Sequence, residues 1–403
     1  MQPLNVICLA TYFKGVDFIR ECKERGCHVY LITKEKMLGE DWPHDSLDDV
    51  IAVPNDAGPA LFIDLVAFLS RKMKVHRVVA LEEFDVVTAA LIREHLCLKG
   101  LNSSRAKVFR DKLTMAVYAR EAGVCVPELV PLINPDDIRE FVERVPPPWV
   151  IKPRSDVSAI GIVKVENPSE IWQVINQMNE RENLRERSSY YVLARFIPGD
   201  VFHVDSLVCN GRVRFAGVNQ YGRPPMQVAH HGGTYVSHTV EYGSSDEKRL
   251  EQMNRRLIKG LRLEYGATHA EFIKGPDGNF YFLEIAARVG GAYIADVLEA
   301  ASGINLWREW AKIEISEDRS SRTTIKPLRK EYAGIVLSLA KQENPDTSAY
   351  NDPEIVYRVK KRHHAGLIVR SKQLERVLEL LSLYSQRFEG DFVAVVPPPE
   401  RPE

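Results

Sequence analysis

Glu271 and Glu284 are the residues whose types and spacing speak most directly of chemistry. They lie in His269-Ala270-Glu271-Phe272-Ile273 and Tyr281-Phe282-Leu283-Glu284-Ile285, on either side of Gly275-Pro276-Asp277-Gly278. Alternating runs around a Gly-, Pro- and Asp-rich turn predict a β-hairpin. Adjacent antiparallel strands can bring the two carboxylates onto one face. Burying both as bare anions is expensive, and a hard divalent cation relieves the repulsion. Mg²⁺ favours one or two carboxylates together with nucleotide phosphates. Arg288 follows, a fixed cation for a phosphate or an oxyanion. Gly290-Gly291 allow backbone to approach a ligand closely. The bland alternative is a surface hairpin with unrelated acids; the apolar run around Glu284 speaks against it.

A second candidate is Val150-Ile151-Lys152-Pro153-Arg154-Ser155-Asp156-Val157-Ser158-Ala159-Ile160-Gly161. A lysine closes a strand-like run, a polar loop follows, and a glycine opens the next run. Lys152 suits a phosphate as a point charge, and loop N–H groups with the Ser155 and Ser158 hydroxyls suit its oxygens. A plain hairpin with solvated charges explains the segment equally well. No Gly-x-x-x-x-Gly-Lys-Ser/Thr loop occurs. Weaker signals are His230-His231-Gly232-Gly233, read as a substrate-side loop or an exposed turn, and His363-His364, structural or reaching the cleft. Glu82-Glu83 at a strand end would receive a cationic amine or form a solvated loop.

These residues need elements to position them. Val6–Ala10, His28–Thr33, Val50–Val53 and Val78–Leu81 are short apolar runs with helical patterns between them, the second holding Leu61, Leu65 and Phe68. Strand–helix–strand with short connections predicts a small doubly wound α/β domain. The first turn, Thr11-Tyr12-Phe13-Lys14-Gly15, lacks Gly-x-Gly-x-x-Gly, so dinucleotide binding is not expected. Asn102-Ser103-Ser104 would cap a helix that carries Phe109, Leu113, Ala116 and Val117 and ends at Gly123. A second helix begins at Asn134 and breaks at Val145-Pro146-Pro147-Pro148. Strands follow at Val150–Lys152, Gly161–Val165, Tyr191–Leu193 and Phe202–Val208, with a helix at Pro168–Met178. Ile315 to Pro327 is polar, a linker or loop; three strands, a helix from Gln373 to Tyr384 and a Pro-rich tail complete the chain.

At 403 residues the length suggests two or three domains. A net charge of −1 with 45% hydrophobic and 27% charged residues gives no basic excess that would argue for nucleic acid. No apolar run reaches the roughly 20 residues that span a bilayer. The first ten residues lack a basic stretch before their apolar run, so neither signal peptide nor membrane partner is expected. The six cysteines form no Cys-x-x-Cys pair, consistent with reduced thiols in the cytoplasm.

Taken together, these motifs resemble the ATP-grasp superfamily, over most of the chain. Glu271 with Leu283-Glu284-Ile285 and Arg288-Val289-Gly290-Gly291 resembles its metal-binding hairpin, and Val150-Ile151-Lys152-Pro153 the strand whose lysine contacts ATP phosphates. The resemblance places Lys107 as a second nucleotide-contacting lysine and Arg195-Phe196-Ile197-Pro198-Gly199 as the hinge of the adenine pocket. It implies an α/β and α+β chain. A Rossmann-like domain would span 1–98 and an ATP-grasp domain 99–318, its flexible lobe about 125–196; a small α+β domain would fill 319–403.

Two departures stand out. Ala286 lies where the family usually has an asparagine ligand. The strand after the hinge has Val201 in place of a ribose-binding glutamate; Asp200, His203 or Asp205 would substitute, His203 being preferred because it shares a face with Val201. The acidic and basic motif of biotin carboxylases is not visible in Asn219 to Gly243. The implied function is carboxylate–amine ligation through an acyl phosphate, forming an amide such as a dipeptide bond. It would use ATP and Mg²⁺ or Mn²⁺ and release ADP and phosphate, with Arg288 as the catalytic residue. Partners would be a small carboxylate and an amine, with a homodimer by analogy. Alternatives are a carboxylase or purine-pathway enzyme of the same superfamily, or a regulatory nucleotide binder without turnover.

Overall fold

The computed structural model describes residues 3–156, 161–224, 233–316 and 325–394. Its first layer is a parallel sheet of β1 (Asn5–Leu9), β2 (His28–Lys34), β3 (Asp49–Val53) and β4 (Arg77–Ala80) in the order β3-β2-β1-β4. Helices α1 (Val16–Glu24), α2 (Pro59–Leu69) and α3 (Val86–His95) cross between the strands and beyond them. Strands buried on both faces read as continuous apolar runs, and β1 is such a strand, with Val6 to Leu9 all buried. On α2 the buried residues are Phe62 and Val66, while Leu61 and Phe68 are exposed. The helix is apolar on every side, so its pattern alone could not say which stripe faces inward.

The single helix expected after Asn102 is two helices, α4 (Ser103–Val108) and α5 (Lys112–Glu121). Asn102 caps the first by accepting from Arg105 N–H. Asp111 restarts the chain, accepting from the N–H groups of Leu113 and Thr114. Consequently Val117 is exposed, and the buried face of α5 is Met115, Ala116 and Ala119.

A small lobe follows. Strand β5 (Leu129–Pro131), helix α6 (Pro135–Arg144), β6 (Trp149–Pro153), β7 (Val163–Val165), α7 (Pro168–Asn179) and β8 (Tyr191–Arg195) form a four-stranded sheet, order β5-β8-β6-β7, under two helices. Trp149, Ile151, Phe141, Ile171 and Leu193 fill its core.

The remaining strands build one eight-stranded antiparallel sheet. They are β9 (Asp200–Cys209), β10 (Arg212–Tyr221), β11 (Tyr235–Thr239), β12 (Tyr265–Lys274), β13 (Phe280–Ala286), β14 (Tyr332–Leu339), β15 (Ile355–Arg358) and β16 (His364–Ser371), in the order β13-β12-β9-β10-β11-β14-β16-β15. The strands beyond residue 319 thus join the central sheet through the β11–β14 ladder. Helix α8 (Ser245–Leu261) covers one face with Leu250, Leu257 and Ile258 against Phe202, Val204 and Phe272. Helices α9 (Ile294–Ser302) and α10 (Leu306–Ile315) tie the other face to the first layer, where Phe18 meets Trp310 with ring centroids 5.1 Å apart. Helix α11 (Leu374–Asp391) packs Leu380, Tyr384 and Phe388 on β14 and β16. Among the described residues no helix is long and apolar enough to cross a membrane.

Candidate active site

Glu271 and Glu284 are direct partners in the β12–β13 ladder, beside a register shift between Glu271 and Phe272. Opposed residues of an antiparallel pair project from the same face, so both carboxylates look into one cleft. Glu284, on the outer strand, pairs with Lys112 Nζ at 2.8 Å and keeps a third of its side chain exposed. Glu271 sits deeper. Its Oε1 accepts from the Tyr221 hydroxyl at 2.7 Å and lies 3.4 Å from His269 Nε2.

Behind Glu271 is a closed polar network. Asp205 stands between two imidazoles, Oδ2 at 2.6 Å from His203 Nδ1 and Oδ1 at 2.9 Å from His269 Nδ1. His203 Nε2 meets Ser237 Oγ at 2.8 Å. Strand alternation explains the grouping. His203 and Asp205 are two apart on β9, and their ladder partners on β12 are Glu271 and His269. Gly290 closes the network from the side. A Cβ there would lie 2.7 Å from Asp205 Oδ1 and 3.0 Å from His269 Nδ1, so only glycine fits.

Burial and charge set the protonation. Burial lowers the His269 pKa, but Asp205 and Glu271 outweigh it and lift it to about 10, so the ring is an imidazolium. For Asp205 burial pushes upward and the two imidazoles overcome it, holding the carboxyl well below the usual range. Glu271 is likewise held ionised against burial, by His269 first and by Tyr221. Burial prevails over Asp205 at His203, whose pKa is lowered. His203 has both nitrogens engaged and no exposed surface, which leaves neither nitrogen for the ribose contact expected of it.

Lysines face the carboxylates from the other side. Lys152 ends β6, and burial first, then repulsion from Lys112, lowers its pKa to about 8 against the pull of Glu284 and Glu271. Its ammonium has no hydrogen-bond partner among the described residues. Lys112 is almost buried and bridges Glu284 to the Asp156 carbonyl, at 2.7 Å from the latter. Lys107, the lysine expected here, is exposed on α4. The chain restarts at the Asp111 cap, and this turns the first residue of α5, Lys112, toward the cleft. Arg154 grips Asp111 with Nη2–Oδ2 at 2.5 Å and so fastens the small lobe to that same cap.

The front domain contributes a second ion cluster. Arg288 Nη2 donates to Glu83 Oε2 at 2.8 Å, and Arg110 takes the other Glu83 oxygen. Lys14 pairs with Glu82 at 2.5 Å. Both glutamates are buried, which replaces the solvated-loop alternative. Burial raises the Glu83 pKa, but Arg288 and Arg110 outweigh it and keep it ionised. Arg288 Nε has no partner among the described residues.

Along the expected hinge, Arg195 N–H donates to the Glu128 carbonyl at 2.8 Å and Phe196 N–H to that of Pro148 at 3.1 Å. The next amide, that of buried Ile197, has no partner among the described residues. Ser155 is exposed, and its carbonyl accepts from Arg110 Nη2 at 2.6 Å. Ser158 and His230-His231 lie outside the described residues. His364 bonds the Arg362 carbonyl at 2.8 Å within the turn that opens β16.

A family model described as the ATP-grasp domain matches residues 145–296. This chain carries an ATP-grasp domain. The matched segment holds β6 through β13 and therefore Lys152, the hinge, Glu271, Glu284 and Arg288. The L-arginine-specific L-amino acid ligase of Bacillus subtilis is 21% identical over 252 residues, 62% of this chain, and the match spans 60% of that ligase's length. An L-amino acid ligase from Bacillus licheniformis superposes with a TM-score of 0.74 at 17% identity, covering 98% of this chain and 99% of its own. The biotin carboxylase domain of Hydrogenobacter thermophilus 2-oxoglutarate carboxylase, solved with MgADP and bicarbonate, gives 0.73 at 16% identity, covering 94% and 89%. At these identities the superpositions show a shared fold, over 94–98% of this chain.

Does the ATP-grasp domain suit a metal? Glu271 Oε2 and Glu284 Oε1 have no partner among the described residues, and both carboxylates share one face with cations across from them. Two carboxylate oxygens with ammonium groups opposite them fit a hard divalent ion. Lys112, Tyr221 and His269 are the site residues whose roles the sequence did not bring out. An Asp-Lys start to a helix, and alternation that puts His269 on the face of Glu271, were the signals available.

Proposed function

We propose that this chain is an ATP-dependent carboxylate–amine ligase, joining an amino-acid carboxylate to an amine and releasing ADP and phosphate. The observation that carries this is the register-paired Glu271–Glu284 shelf facing Lys152 and Lys112 across one cleft. Glu271 and Glu284 would hold Mg²⁺ or Mn²⁺, which when bound neutralises charge on the β- and γ-phosphates. Lys152, half-buried and unpartnered among the described residues, gains a phosphate oxygen as its counter-ion. Lys112 shares its ammonium between Glu284 and phosphate. The free Ile197 amide offers a donor to the adenine edge, on a strand end whose neighbouring amides are already bonded.

The substrate carboxylate attacks the γ-phosphate to give an acyl phosphate. The amine then displaces phosphate and forms the amide. Arg288, fixed by Glu83, stabilises the oxyanion of the tetrahedral species. Glu82 and Glu83 set a negative field at the front-domain wall, which favours an ammonium-bearing substrate; amino acids on both sides, and hence a dipeptide product, fit that field. The free cysteines among the described residues fit a reducing compartment such as the cytoplasm.

The test is a phosphate-release screen over pairs of amino acids, with product analysis. The expected result is ADP and phosphate, dependent on both substrates and on a divalent ion, with an amide product. Carboxylation of an acceptor, dependent on bicarbonate, would move the chain to the carboxylase branch. AMP as product would contradict the proposal.

A further inference from the structure

A cavity of about 390 Å³ lies at the seam between the front domain and the central sheet. Strand β4 and helix α3 wall it on one side, the start of β12 and helix α10 on the other, and the turn into α4 closes one end. Glu271, Glu284 and Lys152 take no part in its lining. Tyr265, which does, opens β12 six residues before Glu271, about 20 Å away at the rise of a strand. We propose that this cavity is a second ligand site, for a small organic anion with two acidic groups and an apolar body. It goes beyond the ligase reading and stands without it.

The charge of the lining points this way. Arg77, Arg93, Lys99, Arg105 and Arg262 line the cavity against two carboxylates, Glu264 and Glu314. This local positive excess stands in a chain whose net charge is −1. Glu314 is turned aside, its Oε1 accepting from Trp310 Nε1 at 3.1 Å. Lys99 and Arg262 are exposed and form no ion pair among the described residues.

Arg105 carries the strongest signal. Its Nη1 is buried and has no hydrogen-bond partner among the described residues. Its guanidinium lies 5.3 Å from the Tyr118 ring centroid, a contact that steadies the group without supplying an acceptor oxygen. A buried guanidinium donor left unpaired is costly, and an acceptor brought by a ligand removes that cost.

The facing wall is rigid. Arg93 donates to the Val78 carbonyl at 2.7 Å and to the Leu101 carbonyl at 2.9 Å. Gly100 lets the turn close over it, because a Cβ there would lie 2.9 Å from Arg93 Cδ. Arg77 Nε donates to the Glu314 carbonyl at 2.7 Å. Between the cations, Val78, Val86, Leu101 and Trp310 supply apolar surface. Guanidinium forks take carboxylate or phosphate. The volume falls in the range of about 300–1,000 Å³ usual for small-molecule pockets, so the lining suits an organic anion better than a bare ion. Such a ligand would touch both layers at once. Ala80 lines the cavity three residues before Glu83, and Ala287 lines it directly before Arg288, the two residues that pair across the seam.

The experiment is titration calorimetry of the full chain with phenyl phosphate and with isophthalate, phenol serving as the uncharged control. The expected result is one anion bound per chain with a Kd below about 1 mM, unchanged in Lys152→Met. The preferred probe identifies phosphate or carboxylate as the acid the site takes. Affinity should fall about tenfold or more in Arg105→Gln, the worth of a hydrogen bond to a charged group. It should fall several-fold in Lys99→Gln/Arg262→Gln, whose exposed positions keep the test open if Arg105→Gln does not fold. No binding of either anion to the wild-type protein overturns the proposal. So does phenol binding as tightly as the anions, or anion binding that survives both sets of substitutions. Binding lost in Lys152→Met but kept in Arg105→Gln places the anion in the catalytic cleft and overturns it as well.

Discussion

The two walls of the cleft are built on opposite plans. On the large sheet, Glu271, Tyr221, His269, Asp205, His203 and Ser237 bond one another, and most are buried. On the small lobe Lys152, and at the hinge the Ile197 amide, have no partners among the described residues. Unpaired polar groups at a buried surface are costly, so they persist where something else pairs them. The large wall is preorganised before any ligand arrives; on the proposed function, the small wall would be completed by one. An adenine edge and a phosphate chain are the kinds of group that would complete it.

Variants should break this comparison in different ways. Glu284→Gln, at the shelf between the walls, should lower kcat/KM for coupled phosphate release about a hundredfold or more, since it removes a proposed ion ligand. Its melting temperature should stay close to wild type, because the side chain is one-third exposed. Asp205→Ala attacks the preorganised wall instead. It strips two imidazoles of their shared acceptor at a site with no exposed surface. Denaturant unfolding should show a loss of about 3–5 kcal/mol.

Lys152→Met addresses the waiting wall. Calorimetry should show ADP binding weakened roughly 10- to 100-fold, the worth of a charge-assisted bond, with stability unchanged or raised. The pH dependence follows from the same group. Its pKa lies at about 8, so the ammonium is charged below that value and neutral above it. ADP affinity should be level near pH 7 and fall as pH rises through 8, and Lys152→Arg should flatten the profile.

The smallest effect belongs to neither wall. Asp85, buried in the front domain and accepting from Thr11 N–H at 2.8 Å, is raised to about 7, chiefly by burial. Its folded pKa lies above the unfolded one, so between about pH 4 and pH 7 the folded state binds more protons and stability falls as pH rises. Asp85→Asn should lessen that slope and be neutral or stabilising near pH 8, by about 1–2 kcal/mol.

What the sequence disclosed is what is local. The Gly-Pro-Asp-Gly turn and flanking alternation were enough to pair Glu271 with Glu284. Lys152 stood out as a strand-end lysine before a polar loop. The front-domain strands were legible as apolar runs, because a parallel sheet covered on both faces leaves no alternation to misread. The support behind Glu271 was not legible. Tyr221 reaches it from 50 residues away and Asp205 reaches His269 from 64. Both contacts depend on the order β12-β9-β10, which no single segment encodes. Lys107 stood in for Lys112 because the helix break at Asp111 is a capping event inside a stretch that reads as continuously helical.

The most direct measurement supplies the carboxylate substrate with ¹⁸O in both oxygens and follows the label during ATP- and amine-dependent turnover. Attack of that carboxylate on the γ-phosphate, followed by amine displacement, must carry one ¹⁸O per turnover into the released phosphate. Mass spectrometry of the phosphate is predicted to show that single transfer in wild-type protein, with turnover largely lost in Glu284→Gln. Amide formation with unlabelled phosphate would contradict the acyl-phosphate account.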